Sequence, residues 1–447
     1  MDTIFAVSSG APPAGVAVIR VSGPASRFVL ETMSGSTATP RQASLRSLRH
    51  PADGSLLDRA LVLWFPGPAS FTGEDVVELH CHGGRAVVAA VLGALAGIAG
   101  CRPALAGEFT RRAFDNGRLD LLEVEGLADL VAAETEAQRR LAVSQAGGAL
   151  TALYDGWRSR LLRIRAMIEA ELDFADEEDV PDDNSSVVWE DVETLRLDIT
   201  SHLERSHAAE RLRAGLQVVL LGRPNAGKSS LLNAIARRDV AIVTEEAGTT
   251  RDVIEVHLDL SGLPLTLVDT AGLRETTGVV EREGIRRALE RAGTADLVLW
   301  LSDPGDPGPD DIDSLPQSSV PVWRVLTKAD LTSGEGHTGP SKTGTKTPVF
   351  SVSALTGDGM DLLLAKLGDF AGSLVGQLDD PVATRERHRW HLARALEAVE
   401  GALASSLPLE LRAEELRRAA GALGHIAGRI GVEDILDVIF GEFCIGK

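Results

Sequence analysis

The sequence contains few of the residues that mark secreted or membrane-inserted proteins. Its three cysteines, Cys81, Cys101 and Cys444, are too few for a disulfide framework. The first residues, MDTIFAVSSG, have neither a basic start nor a cleavable apolar segment. The longest apolar run, from Ala86 to Cys101, is rich in glycine and alanine and shorter than the roughly 18 residues that a membrane span needs. We therefore expect a protein of the reducing cytoplasm.

Positive charge is also scarce. Asp and Glu number 65 against 45 Lys and Arg, a formal net charge of −20, which excludes an overall polyanion-binding surface. Two local basic clusters remain, and each is either a solvated helix face or a nucleic-acid contact. They are Arg158, Arg160, Arg163 and Arg165 in WRSRLLRIR, and Arg385, Arg387, His388 and Arg389 in RERHRWH.

Aromatic residues make up only 4% of the chain, but 44% is hydrophobic, so Ala, Leu and Val must form the cores of two to four domains. Short strand-like runs predict an α+β domain over 1–118. Long helical patterns fill 119–213 and return over 375–447. Between them, over 214–374, strand and helix patterns alternate, which predicts a doubly wound, mostly parallel α/β sheet inserted into a helical domain.

The inserted segment opens with a phosphate-binding signature. GRPNAGKS, from Gly222 to Ser229, matches GxxxxGK[ST] between a predicted strand and a predicted helix. Its glycines allow backbone N–H groups to surround phosphates, Lys228 reaches the terminal phosphates, and the Ser229 hydroxyl is a ligand for Mg²⁺. We therefore predict nucleotide binding here.

The companion motifs follow in the order of a GTP-binding module. Asp269 ends a buried strand before Gly272, the pair Thr249-Thr250 offers a switch threonine for the same Mg²⁺, and Asp330 in TKAD accepts from guanine. Asparagine is usual where Thr327 stands, so we expect modest guanine affinity with Asp330 carrying most of the discrimination. The nucleotide-binding residues that these motifs predict are Asn225, Ala226, Gly227, Lys228, Ser229, Thr249, Thr250, Asp269, Thr270, Ala271, Gly272, Lys328, Asp330, Ser353 and Ala354.

The residue after DTAG is Leu273, where Ras-like proteins place a water-orienting glutamine. Either another group orients the water, or hydrolysis stays slow. Glu281, in the downstream VVEREGI, is the best candidate, although a surface glutamate at a helix start explains it equally well. Asn225 is placed to direct an oxygen at a monovalent cation, which would supply the positive charge that an arginine supplies elsewhere.

The chain ends in FCIGK, after a stretch in which Ile435, Ile439 and Phe443 are spaced four apart. This predicts a packed amphipathic helix with a short tail, and Gly446-Lys447 fits a prenylation signal poorly. His80 and His82 flank Cys81 in HCHGG, but a metal site needs further ligands, so we interpret them as structural or pocket-lining.

These motifs together resemble the MnmE/TrmE family of tRNA-modification GTPases over essentially the full chain. The residues that carry the resemblance are DTIFAV, PPAGVAVIRVSGP, LWFPGPASFTGEDVVELHCHGG, RPALAGEFTRRAFDNGRLDL, GRPNAGKSSLLNA, AIVTEEAGTTRD, DTAGLRE and FCIGK.

The resemblance implies a homodimer formed through the N-terminal domains, which bind a tetrahydrofolate one-carbon donor. An FAD-dependent partner protein would join it in a hetero-oligomer, and together they would add an aminomethyl or carboxymethylaminomethyl group to carbon five of wobble uridines in certain tRNAs. K⁺ would pair the GTPase domains across the dimer and switch on hydrolysis, which controls a domain rearrangement.

The resemblance also implies the roles of particular residues. Glu281 would orient the water, and Cys444 would act as a nucleophile, an acid/base or a pocket-lining group beside the folate. Arg118 stands where the family usually has lysine, which changes the donor geometry. The implied ligand residues are Asn225, Thr244, Glu246 and Thr249 for K⁺, Ser229 and Thr250 for Mg²⁺, and Arg20, Glu78, Arg118 and Lys447 for folate. The resemblance also adds Ser230, Thr244, Glu245, Glu246, Ala247 and Gly248 to the predicted nucleotide-binding residues.

Two other functions are consistent with parts of the sequence. A ribosome-assembly GTPase that acts as an RNA-binding switch would explain the middle third only, and the GALG and GRIG stretches near Gly421 and Gly428 are poor RNA-binding GXXG loops without lysines around them. A one-carbon transferase with the GTPase as a structural clamp would form product without GTP.

Overall fold

The computed structural model describes most of the chain. The described residues are 2–173, 183–223, 225–242, 254–269, 293–303, 320–331, 339–340, 348–376, 381–428, 436, 439–440, 443 and 446. The chain divides into two compact units. The first comprises Met1–Ala128, Ser144–Arg196 and His391–Lys447, and the second comprises Asp129–Val143 and Leu197–Trp390.

A mostly antiparallel sheet forms the N-terminal part of the first unit. Its elements, in chain order, are β1 (Thr3–Val7), β2 (Ala14–Ser22), α1 (Ser26–Ser34), β3 (Ser44–Arg49), β4 (Leu56–Phe65), β5 (Val76–Gly83), α2 (Arg85–Ala96), β6 (Cys101–Pro103) and α3 (Glu108–Asp115). The strand order is β3-β4-β5-β2-β1-β6, and β1 runs parallel to β6.

The alternation of residues along β2 gives this sheet two different faces. Ala17, Ile19 and Val21 are buried, and Ile19 and Val21 belong to a core with residues of α1 and α2. The intervening residues, Arg20 among them, point to the opposite face because successive strand residues alternate. Phe109 of α3 covers the β1 part of that face. The rest of it carries polar groups, as described below.

Helices follow the sheet, with bounds α4 (Leu121–Ala132), α5 (Glu136–Ala146), α6 (Ala149–Asp173) and α7 (Asp183–Ala214). The buried residues of α6 are spaced three or four apart, which is the period of a helix with one buried face. They are Leu150, Tyr154, Trp157, Leu161, Ile164 and Ile168.

The second unit contains a mostly parallel sheet with helices. Its elements are β7 (Leu216–Gly222), α8 (Lys228–Ala236), β8 (Ala241–Ile242), β9 (Ile254–Leu260), β10 (Leu263–Asp269), β11 (Leu297–Ser302), β12 (Val322–Leu326), a 3₁₀ turn (Ala329–Leu331), β13 (Gly339–Pro340), β14 (Pro348–Ser351) and α9 (Met360–Val375). The order is β13-β14-β12-β11-β7-β10-β9-β8, with β14, β12, β11, β7 and β10 parallel. These strands are apolar because helices cover a parallel sheet on both faces.

The described chain ends with α10 (Glu386–Leu403), α11 (Leu409–Ile426) and a few terminal residues. Helix α11 packs against α6. The terminal Leu436, Ile439, Phe440 and Phe443 are buried in a cluster with residues of α4. The predicted packing of the terminal helix is therefore confirmed at these positions, while Ile435 lies outside the described residues.

The predicted fold class, a multidomain α/β protein with an α+β N-terminal domain and a P-loop module, is confirmed by this architecture. The bounds of the four predicted segments, 1–118, 119–213, 214–374 and 375–447, stay predictions. Within the described residues, no helix combines the length and the apolarity that crossing a membrane requires. Nor does the described part of the chain bring together His, Cys, Asp and Glu side chains in a group that could hold a metal.

Candidate functional site

The phosphate loop leaves the sheet at Gly222, the last residue of β7. Gly222 has φ +150°, and a Cβ there would lie 2.3 Å from the Leu301 carbonyl oxygen, so only glycine allows β7 to pass β11 this closely. Asn225 adopts a left-handed conformation with φ +61°, which asparagine tolerates better than most residues. Helix α8 begins at Lys228, so its N-terminal N–H groups and positive dipole end face the loop.

Lys228 lies inside the loop rather than on the surface. Its side chain is buried, and Nζ donates to the carbonyl oxygens of Gly222 at 2.8 Å and Arg223 at 2.9 Å. The ammonium group is thereby held inside the loop by two of the loop's own carbonyl oxygens. Ala226, Gly227 and Ser230 belong to the same loop and first helical turn.

Ser229 and Asp269 bring two oxygens together beside the loop. Strands β7 and β10 pair in parallel with Asp269 opposite Leu220, which places the end of β10 next to the start of α8. The Ser229 hydroxyl donates to Asp269 Oδ2 at 3.0 Å, and Asp269 is buried. A hydroxyl and a carboxylate are the hard oxygen donors that Mg²⁺ prefers beside phosphates, so this donor set fits the predicted metal.

The predicted base-recognition residues follow the neighbouring strands of the same sheet edge. Asp330, in the 3₁₀ turn after β12, accepts a hydrogen bond of 2.6 Å from the Ser353 hydroxyl, and Ala354 comes next in the chain. Lys328 pairs with Asp303 Oδ2 at 2.6 Å. The phosphate loop after β7 and the TKAD loop after β12 thus both lie at the carboxyl ends of the parallel strands. That edge of a parallel sheet is where α/β proteins bind ligands.

Thr327 begins the TKAD loop, Thr327 to Asp330, which we call the base loop. It connects this loop to the phosphate loop. Its hydroxyl donates to the Ala226 carbonyl oxygen at 2.8 Å and approaches the Ser302 carbonyl oxygen at 3.3 Å. The side chain is buried. Sequence reasoning noted only that this residue was unusual, and it missed Asp303 as the partner of Lys328, because both contacts join residues far apart in the chain.

The remaining predicted residues of the nucleotide and tail sites lie outside the described part of the chain. They are Thr244, Glu245, Glu246, Ala247, Gly248, Thr249, Thr250, Thr270, Ala271, Gly272, Glu281, Cys444 and Lys447.

A second polar site lies on the exposed face of the N-terminal sheet. Arg20 of β2 stands directly opposite Glu78 of β5, and its Nε and Nη2 donate to Glu78 Oε1 at 3.1 and 3.0 Å. The guanidinium also lies over the rings of Phe71, at 5.3 Å, and Phe109, at 5.8 Å, an arrangement that favours a cation. Two of the predicted folate ligands are therefore in contact, and the two aromatic residues were not anticipated.

His80, Cys81 and His82 have different environments on β5. His80 Nε2 lies 3.3 Å from Glu78 Oε2, whereas His82 Nδ1 lies 2.8 Å from Asp58 Oδ1. Burial, with a smaller effect of Asp58, raises the pKa of the Cys81 thiol to about 12. The thiol is therefore protonated and unreactive at neutral pH.

The C-terminal tail meets the N-terminal sheet at the end of β1. Gly446 has φ +105°, and a Cβ there would lie 2.0 Å from the Val7 carbonyl oxygen. The Ser8 hydroxyl donates to the Gly446 carbonyl oxygen at 2.7 Å. Arg118 is exposed and passes beside Gly73, whose Cβ would lie 3.3 Å from Arg118 Cγ.

The two clusters of arginines predicted from the sequence differ in how many of their members form ion pairs. Arg385 pairs with Asp129 at 2.8 Å, and Arg389 pairs with Glu210, while His388 is buried. In the other cluster, on α6, two members pair with acidic residues and two do not. Arg160 pairs with Asp191, Arg165 pairs with Glu169, and Arg158 and Arg163 have no ion pair among the described residues.

Comparison with known proteins covers the whole chain. A family model described as the MnmE helical domain matches residues 121–444, and one described as the GTP-binding protein TrmE N-terminus matches residues 3–118. A protein of Rhizobium meliloti named tRNA modification GTPase MnmE is 57% identical over 446 residues, covering 100% of this chain and 99% of that protein. Proteins of the same name from Sinorhizobium medicae and Brucella anthropi are 56% and 53% identical over 447 residues, covering 100% of this chain and 99% and 98% of theirs.

Proposed function

Because the chain belongs to the MnmE family, we propose that it is a tRNA modification GTPase, which hydrolyses GTP in the course of modifying tRNA. The observation that carries this proposal is the full-length relationship together with the shared sheet edge, where the Lys228 loop, the Ser229–Asp269 pair and Asp330 meet. A ribosome-assembly GTPase would not explain the N-terminal and helical parts.

In GTP hydrolysis, Lys228 would contact the terminal phosphates, and the N-terminal N–H groups of α8 would bind their oxygens. Ser229 would hold Mg²⁺ together with Thr250, and Asp269 would orient that site through the 3.0 Å contact. Asp330, held by Ser353, would accept from the guanine N–H groups. This chain's part in catalysis is mainly positioning and charge stabilisation.

We further propose that K⁺ activates hydrolysis. Asn225 would direct its side chain at the ion, with Thr244, Glu246 and Thr249 completing the ligands, and Glu281 would orient the attacking water. Asn225 adopts a left-handed conformation within the loop, with φ +61°, and this supports a specialised role for its side chain there. Pairing of two GTPase modules across a homodimer would complete the site.

For the modification itself, we propose a reduced-folate site in the N-terminal part. Arg20 and Glu78, joined at 3.0 Å, would bind the ligand with Arg118 and Lys447, and Cys444 would lie beside it. With an FAD-dependent partner protein in the cytoplasm, the chain would add an aminomethyl-type group to carbon five of wobble uridines.

The GTPase part is tested by measuring hydrolysis in K⁺ and in Na⁺ at matched ionic strength, over a range of protein concentration. We expect stimulation by K⁺ that grows with concentration and is lost in Asn225→Ala and Glu281→Ala. Asn233→Ala is the matched control, because Asn233 is an exposed residue of α8 outside the loop. Equal rates in the two salts would remove K⁺ from the proposal and leave GTP hydrolysis standing.

The modification part is tested by mass spectrometry of tRNA nucleosides from cells that lack the protein. We expect loss of the carbon-five wobble modification and its return with the wild-type chain, but not with Lys228→Ala. An unchanged nucleoside profile in the deletion strain would contradict the proposed function.

A further inference from the structure

The exposed face of the N-terminal sheet carries a row of polar side chains across two strands. Glu78 and His80 lie two residues apart on β5, so they project from the same face. Arg20 on β2 is opposite Glu78, and Val18 is opposite His80. On the other side of β5, the residue opposite His80 is Leu61.

The two carboxylate oxygens of Glu78 have different partners. Oε1 accepts both hydrogen bonds from Arg20, and Oε2 lies 3.3 Å from His80 Nε2. The side chains of Arg20, Glu78 and His80 are 21%, 18% and 28% exposed, so they are partly shielded yet still accessible to a ligand. The carboxylate is therefore held from two sides.

Arg20 is itself held in place by the rings of Phe71 and Phe109. A continuous chain of contacts thus runs from these rings through Arg20 and Glu78 to His80. A binding group whose orientation is set in advance by such partners loses less entropy when it meets its ligand. His80 is the only member of this chain of contacts that acts on Oε2 among the described residues.

We propose that His80 is a positioning residue for Glu78 in the folate site, an inference that rests on the proposed function of that site. Nε2–H donates to Oε2 and sets the plane of the carboxylate between itself and Arg20. A carboxylate has about four acceptor positions; Arg20 uses two and His80 uses one, so about one remains for an N–H donor of a bound heterocycle. Without His80, Glu78 turns about its last torsion and meets that donor less well.

His82 provides a matched comparison on the same strand. It also pairs with a carboxylate, Asp58, and lies on the same face as His80. Its side chain is 70% exposed, and Asp58 is not a proposed ligand of folate. Replacing His82 therefore changes a histidine–carboxylate pair of β5 without changing the contacts of Glu78.

The experiment measures the dissociation constant of 5-formyltetrahydrofolate, an oxidation-stable reduced folate, by calorimetry on the full-length protein. We expect His80→Leu to weaken binding roughly three- to tenfold, the usual effect of losing one hydrogen bond. His80→Gln should bind within about twofold of the wild type, because its amide N–H replaces the Nε2 donor. His82→Leu should bind as the wild type does.

A double-mutant cycle separates positioning of Glu78 from a general effect on the sheet. In a Glu78→Gln background, His80→Leu should produce little further loss, because the two residues act through one contact. If His80→Leu binds like the wild type while Glu78→Gln binds poorly, the role of His80 is overturned and the folate site stands. If the wild-type protein binds no reduced folate, both the site and this inference are overturned.

Discussion

At the scale of single residues, Thr327 stands where asparagine is usual in GTP-binding motifs, and it contacts the phosphate loop. Its hydroxyl joins the base loop to the phosphate loop through the Ala226 carbonyl oxygen. Threonine is shorter than the usual asparagine and has a single donor, and here that donor is used within the protein. In the proposed guanine site, recognition of the base would therefore be left to Asp330.

Thr327→Val keeps the shape of this side chain and removes its donor. We expect GDP affinity to fall roughly fivefold, because the Ala226 carbonyl oxygen loses a buried hydrogen bond worth about 1 kcal/mol. Thr327→Ser, which keeps the hydroxyl, should bind GDP nearly as well as the wild type. Fluorescence titration with a labelled GDP measures both, and equal affinities for the Val and Ser variants would contradict the role of the hydroxyl.

His202 of α7 is a buried histidine in the second unit. Its Nε2 accepts a hydrogen bond of 3.3 Å from the Ala383 N–H. Burial, followed by the nearby charges of Arg205 and His388, lowers its pKa from 6.5 to about 4. The folded protein therefore keeps this ring neutral at a pH where the unfolded chain protonates it.

We predict that acid destabilises the protein partly through His202. Between pH 6.5 and pH 4 the unfolded state binds more protons, so the free energy of unfolding falls as the pH falls. A difference of about 2.5 pH units corresponds to about 3 kcal/mol. Urea unfolding at several pH values should show a shallower decline in His202→Gln, which retains an acceptor for the Ala383 N–H.

His207→Gln is the control for this prediction, because His207 is an exposed residue of the same helix. Its pH profile of stability should match that of the wild type. If the profiles of His202→Gln and the wild type run parallel through the acid range, His202 is not the group responsible.

At the scale of elements, the contact of the C-terminal tail with β1 depends on one glycine. Gly446 has a positive φ and no room for a Cβ beside Val7. The Ser8 hydroxyl strengthens this contact by donating to the Gly446 carbonyl oxygen. Phe440 and Phe443, which precede Gly446 in the chain, are buried in the hydrophobic cluster with α4. The packing of the terminal helix on α4 and the contact of Gly446 with the end of β1 are thus two separate interactions, and both position the C-terminal tail.

Gly446→Ala should displace the tail without unfolding the helix that precedes it. A positive φ alone costs a non-glycine residue about 1–3 kcal/mol, and the close contact with Val7 adds to this. We expect weaker binding of 5-formyltetrahydrofolate with little change in the thermal midpoint. Gly421→Ala is the control, because Gly421 lies in α11 with nothing within 4 Å of an added Cβ; equal folate affinity of both variants would contradict the tail's role.

At the scale of the whole molecule, a protein with a net charge of −20 that binds tRNA, as we propose, would do so through a local basic surface. The two arginine clusters differ in how many of their charges already form ion pairs within the protein. Arg385 and Arg389 already pair with Asp129 and Glu210, so reversing their charge would disturb the second unit itself. Arg158 and Arg163 of α6 are the better candidates.

Arg158→Glu combined with Arg163→Glu should weaken tRNA binding and reduce its salt dependence. Each lost phosphate contact lowers the slope of log Kd against log salt by roughly 0.7 to 0.9, so the double variant should lose up to about 2. Arg417→Glu with Arg418→Glu changes the net charge equally on α11, where both arginines pair with neighbouring glutamates. Filter binding over a salt series compares them, and identical slopes would exclude α6 as a tRNA surface.

The sequence by itself determined the class of fold and the chemistry of the phosphate loop. Both depend on local patterns: the period of apolar residues, which sets strands and helices, and the spacing of Gly222, Lys228 and Ser229, which sets a loop at a helix start. The amphipathic pattern of the terminal helix also predicted the burial that Ile439 and Phe443 show.

Only the tertiary structure decided which distant residues meet. The contacts of Thr327 with Ala226, of Glu78 with Arg20, and of Gly446 with Ser8 join positions 101, 58 and 438 residues apart. Such contacts depend on strand order and register, since a shift of one residue along β5 would turn Glu78 and His80 into the core. No local pattern specifies that register, which follows from packing the whole sheet against its helices.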